Sequence, residues 1–211
     1  MTRTHRDRRR HLPELGSVLG MPDGPDVSTA LRGGVRTRLQ AWEFVRWYAD
    51  TWMDRPLRPE DGCTTEELAD AEGDLGFELP AVLSEGYALF GRRDDLTRQQ
   101  DPLVRPAGLY VDDALDGVLV FRRENQDCAS WGIPLARIGQ GDPPVVVESH
   151  RGWIPFLDRM SLAWVELVLS ESQWKAPTEA GCGVRGSMAG PELVIHDGDE
   201  IVMTYGKVYF G

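Results

Sequence analysis

Cys128, Asp142 and His150 fall in one stretch of the chain. A thiol, a carboxylate and an imidazole are the parts of a nucleophilic triad, in which the base activates the sulfur and the acid orients the base. That chemistry needs an accessible thiol. Residues 128–133 read instead as a buried strand, where a free cysteine serves as a small hydrophobe. Of the four histidines, His5 and His11 lie in an arginine-rich leader, so a hydrolase would have to use His150 or His196. The acid pairs Asp94-Asp95 and Asp112-Asp113 could bind a divalent cation or divide the work of acid and base, yet neighbours on a strand point to opposite faces. Neither pair brings a ligand set with it. Gly139-Gln140-Gly141 and Gly181-Cys182-Gly183 lack the Lys-Ser/Thr and the strand-to-helix setting of a phosphate loop. No catalytic residue, metal or cofactor is assigned, and the chain reads as a non-enzyme.

Carboxylates are the reactive groups it has in quantity. The 211 residues carry 34 acidic against 23 basic side chains, a formal net charge of -11. Residues 1–11 hold five Arg and one Asp, which is +4, so residues 12–211 carry -15. A fold this acidic repels nucleic acid and anionic membrane and attracts a basic protein. Asp112, Asp113, Asp116, Glu124, Asp127 and Asp142 gather around expected strand ends and turns, and they are the candidate partner-binding residues. The same carboxylates could equally punctuate loops and keep the protein soluble.

The remaining composition sets the compartment. Cys63, Cys128 and Cys182 form no CxxC pair, so neither a disulfide framework nor a zinc site is expected, and a reduced cytoplasm fits. No apolar run approaches the roughly 18 residues of a membrane span. Residues 12–21, interrupted by Pro13, Glu14 and two glycines, make a poor signal-peptide core. Oligomeric state is not legible.

The elements that must position these groups can be read from periodicity. Residues 1–34 lack hydrophobic periodicity and read as a disordered leader. Leu39, Trp42, Val45, Ala49 and Trp52, widened by Phe44, Trp47 and Tyr48, predict a helix over residues 35–53 with an aromatic face. Thr64-x-x-Glu67 is a capping box that opens a second helix with Leu68, Ala71 and Leu75 inside, closed by Gly76. Pro80 opens a third, with Leu83, Tyr87 and Phe90 buried, and one helical turn is expected around Leu96. Strands are predicted at 109–112, 118–123, 128–133 and 145–149, the middle two forming a central hairpin. Short connections make them antiparallel neighbours. Ser161 is the expected N-cap of a closing helix carrying Leu162, Val165, Val168 and Leu169. Together these predict an α+β fold: a central, mostly antiparallel sheet with helices before and after it, over residues 35–174. Residues 175–211 read as a loop followed by short strands at 192–196, 200–204 and 207–210.

Two blocks carry a family resemblance. Thr64-Thr65-Glu66-Glu67-Leu68 followed by Glu72-x-x-Leu75-Gly76-Phe77-Glu78-Leu79-Pro80 is similar to the helix, LG and LP signature of the SUKH superfamily, which takes in fungal Smi- and Knr-type cell-wall synthesis regulators and many bacterial proteins. The second block runs through 118–121, Glu124-Asn125-Gln126, Trp131-Gly132-Ile133-Pro134, Asp142-Pro143-Pro144-Val145 and the helix from Ser161. The resemblance covers residues 36–172, with no counterpart for the segment from Lys175. It implies a non-catalytic α+β domain, and for bacterial members an immunity protein that binds and neutralises a toxin. A regulatory scaffold is the alternative within the same class, and a hydrolase the alternative from another.

Overall fold

Thr37 fixes where the first long helix begins. Its hydroxyl accepts from the Gln40 amide at 3.2 Å, while the Gln40 side chain accepts from the Arg36 and Thr37 amides at 2.8 and 3.1 Å. Amides that the helix cannot satisfy internally are thereby taken up reciprocally. The computed structural model describes residues 27–172 and, beyond them, the strands at 191–196 and 200–205. Most of the expected leader, residues 1–26, lies outside the described residues, as does the strand expected at 207–210. A helical turn, α1 (Val27–Leu31), precedes α2 (Arg38–Trp52), and Leu31 is buried in the core, so the fold takes in residues ahead of position 35.

On α2 the buried stripe is Ala41, Trp42, Phe44, Val45, Tyr48 and Ala49. Leu39, expected within it, is 64% exposed. α3 (Thr65–Leu75) is capped as the sequence predicts: the Thr64 hydroxyl accepts from the Glu67 amide at 3.2 Å, the Glu67 carboxylate accepts from the Thr64 amide at 2.7 Å, and the helix ends on left-handed Gly76. α4 (Ala81–Phe90) follows Pro80 and buries Leu83, Tyr87 and Phe90 completely. α5 (Asp94–Thr97) is the single turn around Leu96.

Five antiparallel strands then form one sheet in sequence order: β1 (Tyr110–Asp112), β2 (Val118–Arg123), β3 (Ser130–Pro134), β4 (Val145–Ser149) and β5 (Gly152–Leu157). The hairpin of β2 and β3 is central, as expected. Two expectations need correction. β3 starts at Ser130, so Cys128 is exposed in the preceding turn and not on a buried strand. β5 was not expected, because Pro155 in its middle argues against a strand; it fits because β5 is an edge and the register slips between Val145 and Val146 opposite it.

α6 (Met160–Ser172) closes the described domain and is buried on almost every side. That matches its mostly apolar sequence, whose two glutamates, Glu166 and Glu171, are turned onto Arg122. Trp164 stands at its centre, edge-on to Phe90 and Tyr87 with ring centroids 5.1 and 5.7 Å away and facing Phe121 at 6.5 Å. The core is therefore shared by α2, α4, α6 and the Leu119, Phe121, Ile133 and Val145 side of the sheet. The molecule is an α+β domain with helices on both sides of the sheet in sequence. β6 (Pro191–His196) and β7 (Glu200–Tyr205) form a separate antiparallel pair. Among the described residues no helix is long and apolar enough to cross a membrane.

Candidate functional site

Strand register sorts the six candidate acids into two groups. Asp112 pairs with Val118, Val118 with Pro134, and Gly132 with Val146. Asp112, Asp113, Asp116 and Asp142 thus sit at the end of the sheet where β2 begins, and Glu124 and Asp127 at the end where it finishes. The six residues of β2 separate the groups by roughly 17 Å.

Hydrogen bonding separates them further. Asp142 accepts from the Ser161 amide at 2.8 Å and the Ser161 hydroxyl at 2.6 Å, so it anchors the start of α6. Ser161 is consequently a residue inside the helix and not its cap. Glu124 accepts from the Gln126 and Cys128 amides at 2.7 and 3.2 Å, and Asp127, at φ +63°, pairs with Arg123. Those two acids brace the β2–β3 turn. Asp112 accepts from the Ala114 amide at 2.8 Å. Asp113 and Asp116 are exposed and make no side-chain hydrogen bond or ion pair among the described residues.

Between them stands a residue that sequence reasoning did not select. Leu115 is 56% exposed at φ +54°, followed by Asp116 at φ +61° and Gly117 at φ +106°. Left-handed backbone costs a residue with a side chain about 1–2 kcal/mol, and two in succession hold the turn in a shape few sequences adopt. At Gly117 a side chain would also strike Leu135, whose Cδ1 lies 2.6 Å from the Cβ position. The corner between β1 and β2 therefore presents an exposed leucine among three aspartates. The sequence signal was present in Asp113-Ala114-Leu115-Asp116-Gly117, an apolar residue inside turn chemistry.

The nucleophile arrangement does not assemble. Cys128 and His150 are both exposed, in the β2–β3 and β4–β5 turns at one end of the sheet, while Asp142 is at the other end and committed to Ser161. His196 lies on β6, and its side chain is outside the described residues. Among the described residues no group of three His, Cys, Asp or Glu side chains is placed to hold a metal ion.

Two further features have the look of sites. One is a pair of adjoining open depressions of about 540 and 510 Å³ beside α2 and α4, both bordered by Arg46, Ala88 and Leu89. Their rim charges nearly cancel: Arg38, Arg46 and Arg58 against Asp50 and Glu85, with Arg38 and Glu85 paired at 3.3 Å. The other is buried charge. Asp61 accepts from Arg55 at 2.7 Å and from the Arg58 amide at 2.7 Å, with Arg93 at 3.4 Å, fastening the turn ahead of α3. Arg122 lies under the sheet against Glu166, Glu171 and Asp101. Burial raises the Glu166 and Asp101 carboxyls above their ordinary values despite that guanidinium. No known protein family, curated protein or solved structure matches this chain.

Proposed function

We propose that this chain is a non-catalytic protein-binding domain, an immunity protein that binds and neutralises a cognate toxin through a basic surface of that toxin. The observation that carries the reading is the β1–β2 corner, where exposed Leu115 is held on left-handed backbone among Asp112, Asp113 and Asp116. An apolar group ringed by acids suits a partner that offers an apolar contact inside a field of Lys and Arg. The net charge of -11 acts in the same direction at longer range. The similarity of residues 64–80 and 118–145 to SUKH proteins supplies the immunity reading, and helices packed around an antiparallel sheet are the architecture that similarity implies. Cytoplasmic action belongs to the same proposal, supported by Cys63 and Cys128 both being free thiols.

The test is co-expression with the toxin encoded by the neighbouring reading frame. Restored growth and a stable complex burying on the order of 1,600 Å² are expected, with both lost in Leu115→Asp. Neither protection nor complex from the unaltered chain sinks the proposal. Capture of several unrelated endogenous proteins would favour the scaffold. His150→Ala and His196→Ala are expected to protect as well as the parent, and loss of protection in either would bring back the hydrolase.

A further inference from the structure

Leu39, in the first turn of α2, is the most exposed large hydrophobic side chain among the described residues, at 64%. It borders the groove that the two adjoining depressions form along α2. One half of that groove lies between Arg38, Leu39 and Trp42 of α2 and Glu85 of α4. The other lies between Trp47 and Asp50 of α2 and the Leu57-Arg58 segment that follows the helix. Arg46 on the α2 side and Ala88 and Leu89 on the α4 side border both halves, so the groove is continuous from Arg38 to Asp50. At 1.5 Å per residue that is about 18 Å of helix. Trp47, Leu57 and Leu89 are only half-buried, which leaves an apolar floor open to solvent.

The charges at the four corners of this groove alternate in sign. Arg38 and Asp50 mark its two ends on the α2 side, and Glu85 and Arg58 mark the two ends opposite. Arg38 and Glu85 face each other at 3.3 Å, while the Arg58 guanidinium reaches Glu60 at 3.9 Å. Arg46 and Asp50 make no side-chain hydrogen bond or ion pair among the described residues. A nucleic acid or anionic surface is held by a rim of positive charge, and a basic protein by a rim of negative charge. This rim is neither. What matches alternating signs is a surface that alternates in the same way, and a second copy of the chain carries one. A two-fold axis in the plane of the face lays each corner against one of opposite sign. With the axis along the groove, Arg38 meets Glu85 and Asp50 meets Arg58; with the axis across it, Arg38 meets Asp50 and Glu85 meets Arg58. Two chains of net charge -11 repel at long range, and this face, with three arginines against two acids, is a place where they can meet without that repulsion.

We propose that the groove is a homodimer interface, on which a second copy of this chain docks about such a two-fold axis, with Leu39 as an apolar anchor and Asp50 paired to an arginine of the other copy. Trp42, Trp47 and Arg46 supply the residue types that carry binding energy at the centre of protein interfaces. The groove shares no residue with the β1–β2 corner, so the dimer stands whether or not that corner binds a toxin.

Sedimentation equilibrium of the full chain from about 1 μM to about 1 mM, a range that brackets weak self-association, tests the proposal. The weight-average mass is expected to climb with concentration from the 23.6 kDa of one chain toward twice that value. Leu39→Ala removes the anchor and Asp50→Arg reverses one corner. Both positions are exposed, so both variants are expected to keep the circular dichroism of the parent. Each is expected to weaken self-association by at least about tenfold. Asp50→Arg also separates contact from bulk charge: replacing a negative group by a positive one takes -11 to -9, which through long-range repulsion alone would tighten the dimer. A chain that stays at 23.6 kDa throughout overturns the proposal, and so does either variant associating as tightly as the parent. Should Asp50→Arg fail to fold, Asp50→Asn, which keeps the shape and removes the charge, takes its place, and undiminished association in that variant overturns the proposal equally.

Discussion

Glu67 holds its charge far into acid. The Arg92 guanidinium at 2.6 Å and the Thr64 amide at 2.7 Å both favour the ionised form, and together they bring this exposed carboxyl down to about 2. A depressed value means stability present above the ordinary carboxyl range and lost as pH falls through about 2. In a carboxyl NMR titration Glu67 is therefore expected to titrate well below the ordinary carboxyl range, and the amides of the first turn of α3 should stay protected until Glu67 itself is protonated. Gly86 makes a steric argument at the same scale. A Cβ there would lie 2.2 Å from the Trp164 ring, so α4 and α6 pack at a distance that only a bare backbone permits. Gly86→Ala is expected to cost about 1–3 kcal/mol, as overpacking does, seen as a lower denaturant midpoint with an unchanged m-value. The Glu67 cap was legible in the sequence because both partners lie within one turn. The steric role of Gly86 was not, because its partner is on a helix that follows the whole sheet.

The start of α6 shows the same division between local and distant signals. Ser161 has the chemistry of an N-cap, and sequence reading assigns it that role. In the fold the anchor is Asp142, which bonds both the amide and the hydroxyl of Ser161 from the loop ahead of β4, while the Met160 amide reaches the Pro143 carbonyl at 2.7 Å. Asp142→Ala is expected to lower stability by about 1 kcal/mol, with Asp142→Asn recovering part of the loss, while affinity of the folded protein for the toxin partner proposed above stays unchanged. A loss of affinity without a loss of stability would move Asp142 back among the contact residues. Strands with short continuous apolar runs, such as Val118–Phe121 in β2 and Val145–Val147 in β4, were legible, and so were the helices with a clear stripe. β5 was hidden because Pro155 opposes a strand locally and is tolerated only at an edge, and edge position is a property of the finished sheet. Leu115 was legible only as an apolar residue inside turn chemistry, because nothing in the spacing of residues reports a positive φ at a residue other than glycine.

At the scale of the molecule, both open edges of the sheet are poor templates for another strand. β1 is three residues long and ends in Asp112, and β5 lacks an amide at Pro155 and is bulged opposite it. A partner is therefore expected to engage side chains and charge, not to add a strand. On the proposed reading, the charge of -11 would act before contact, by steering a basic partner, and Leu115 after it, as the apolar centre of the proposed interface. These roles separate in kinetics. Asp113→Lys with Asp116→Lys is expected to reduce the association rate and flatten its dependence on salt, since charges this exposed are screened beyond about 10 Å at 0.1 M ionic strength. Leu115→Ala should leave association nearly unchanged and speed dissociation, because truncating a buried apolar anchor acts on the formed complex. Surface plasmon resonance across a salt series reads both. An association rate indifferent to salt and to the two lysines would separate the acidity of this fold from partner capture, leaving solubility as its physical role.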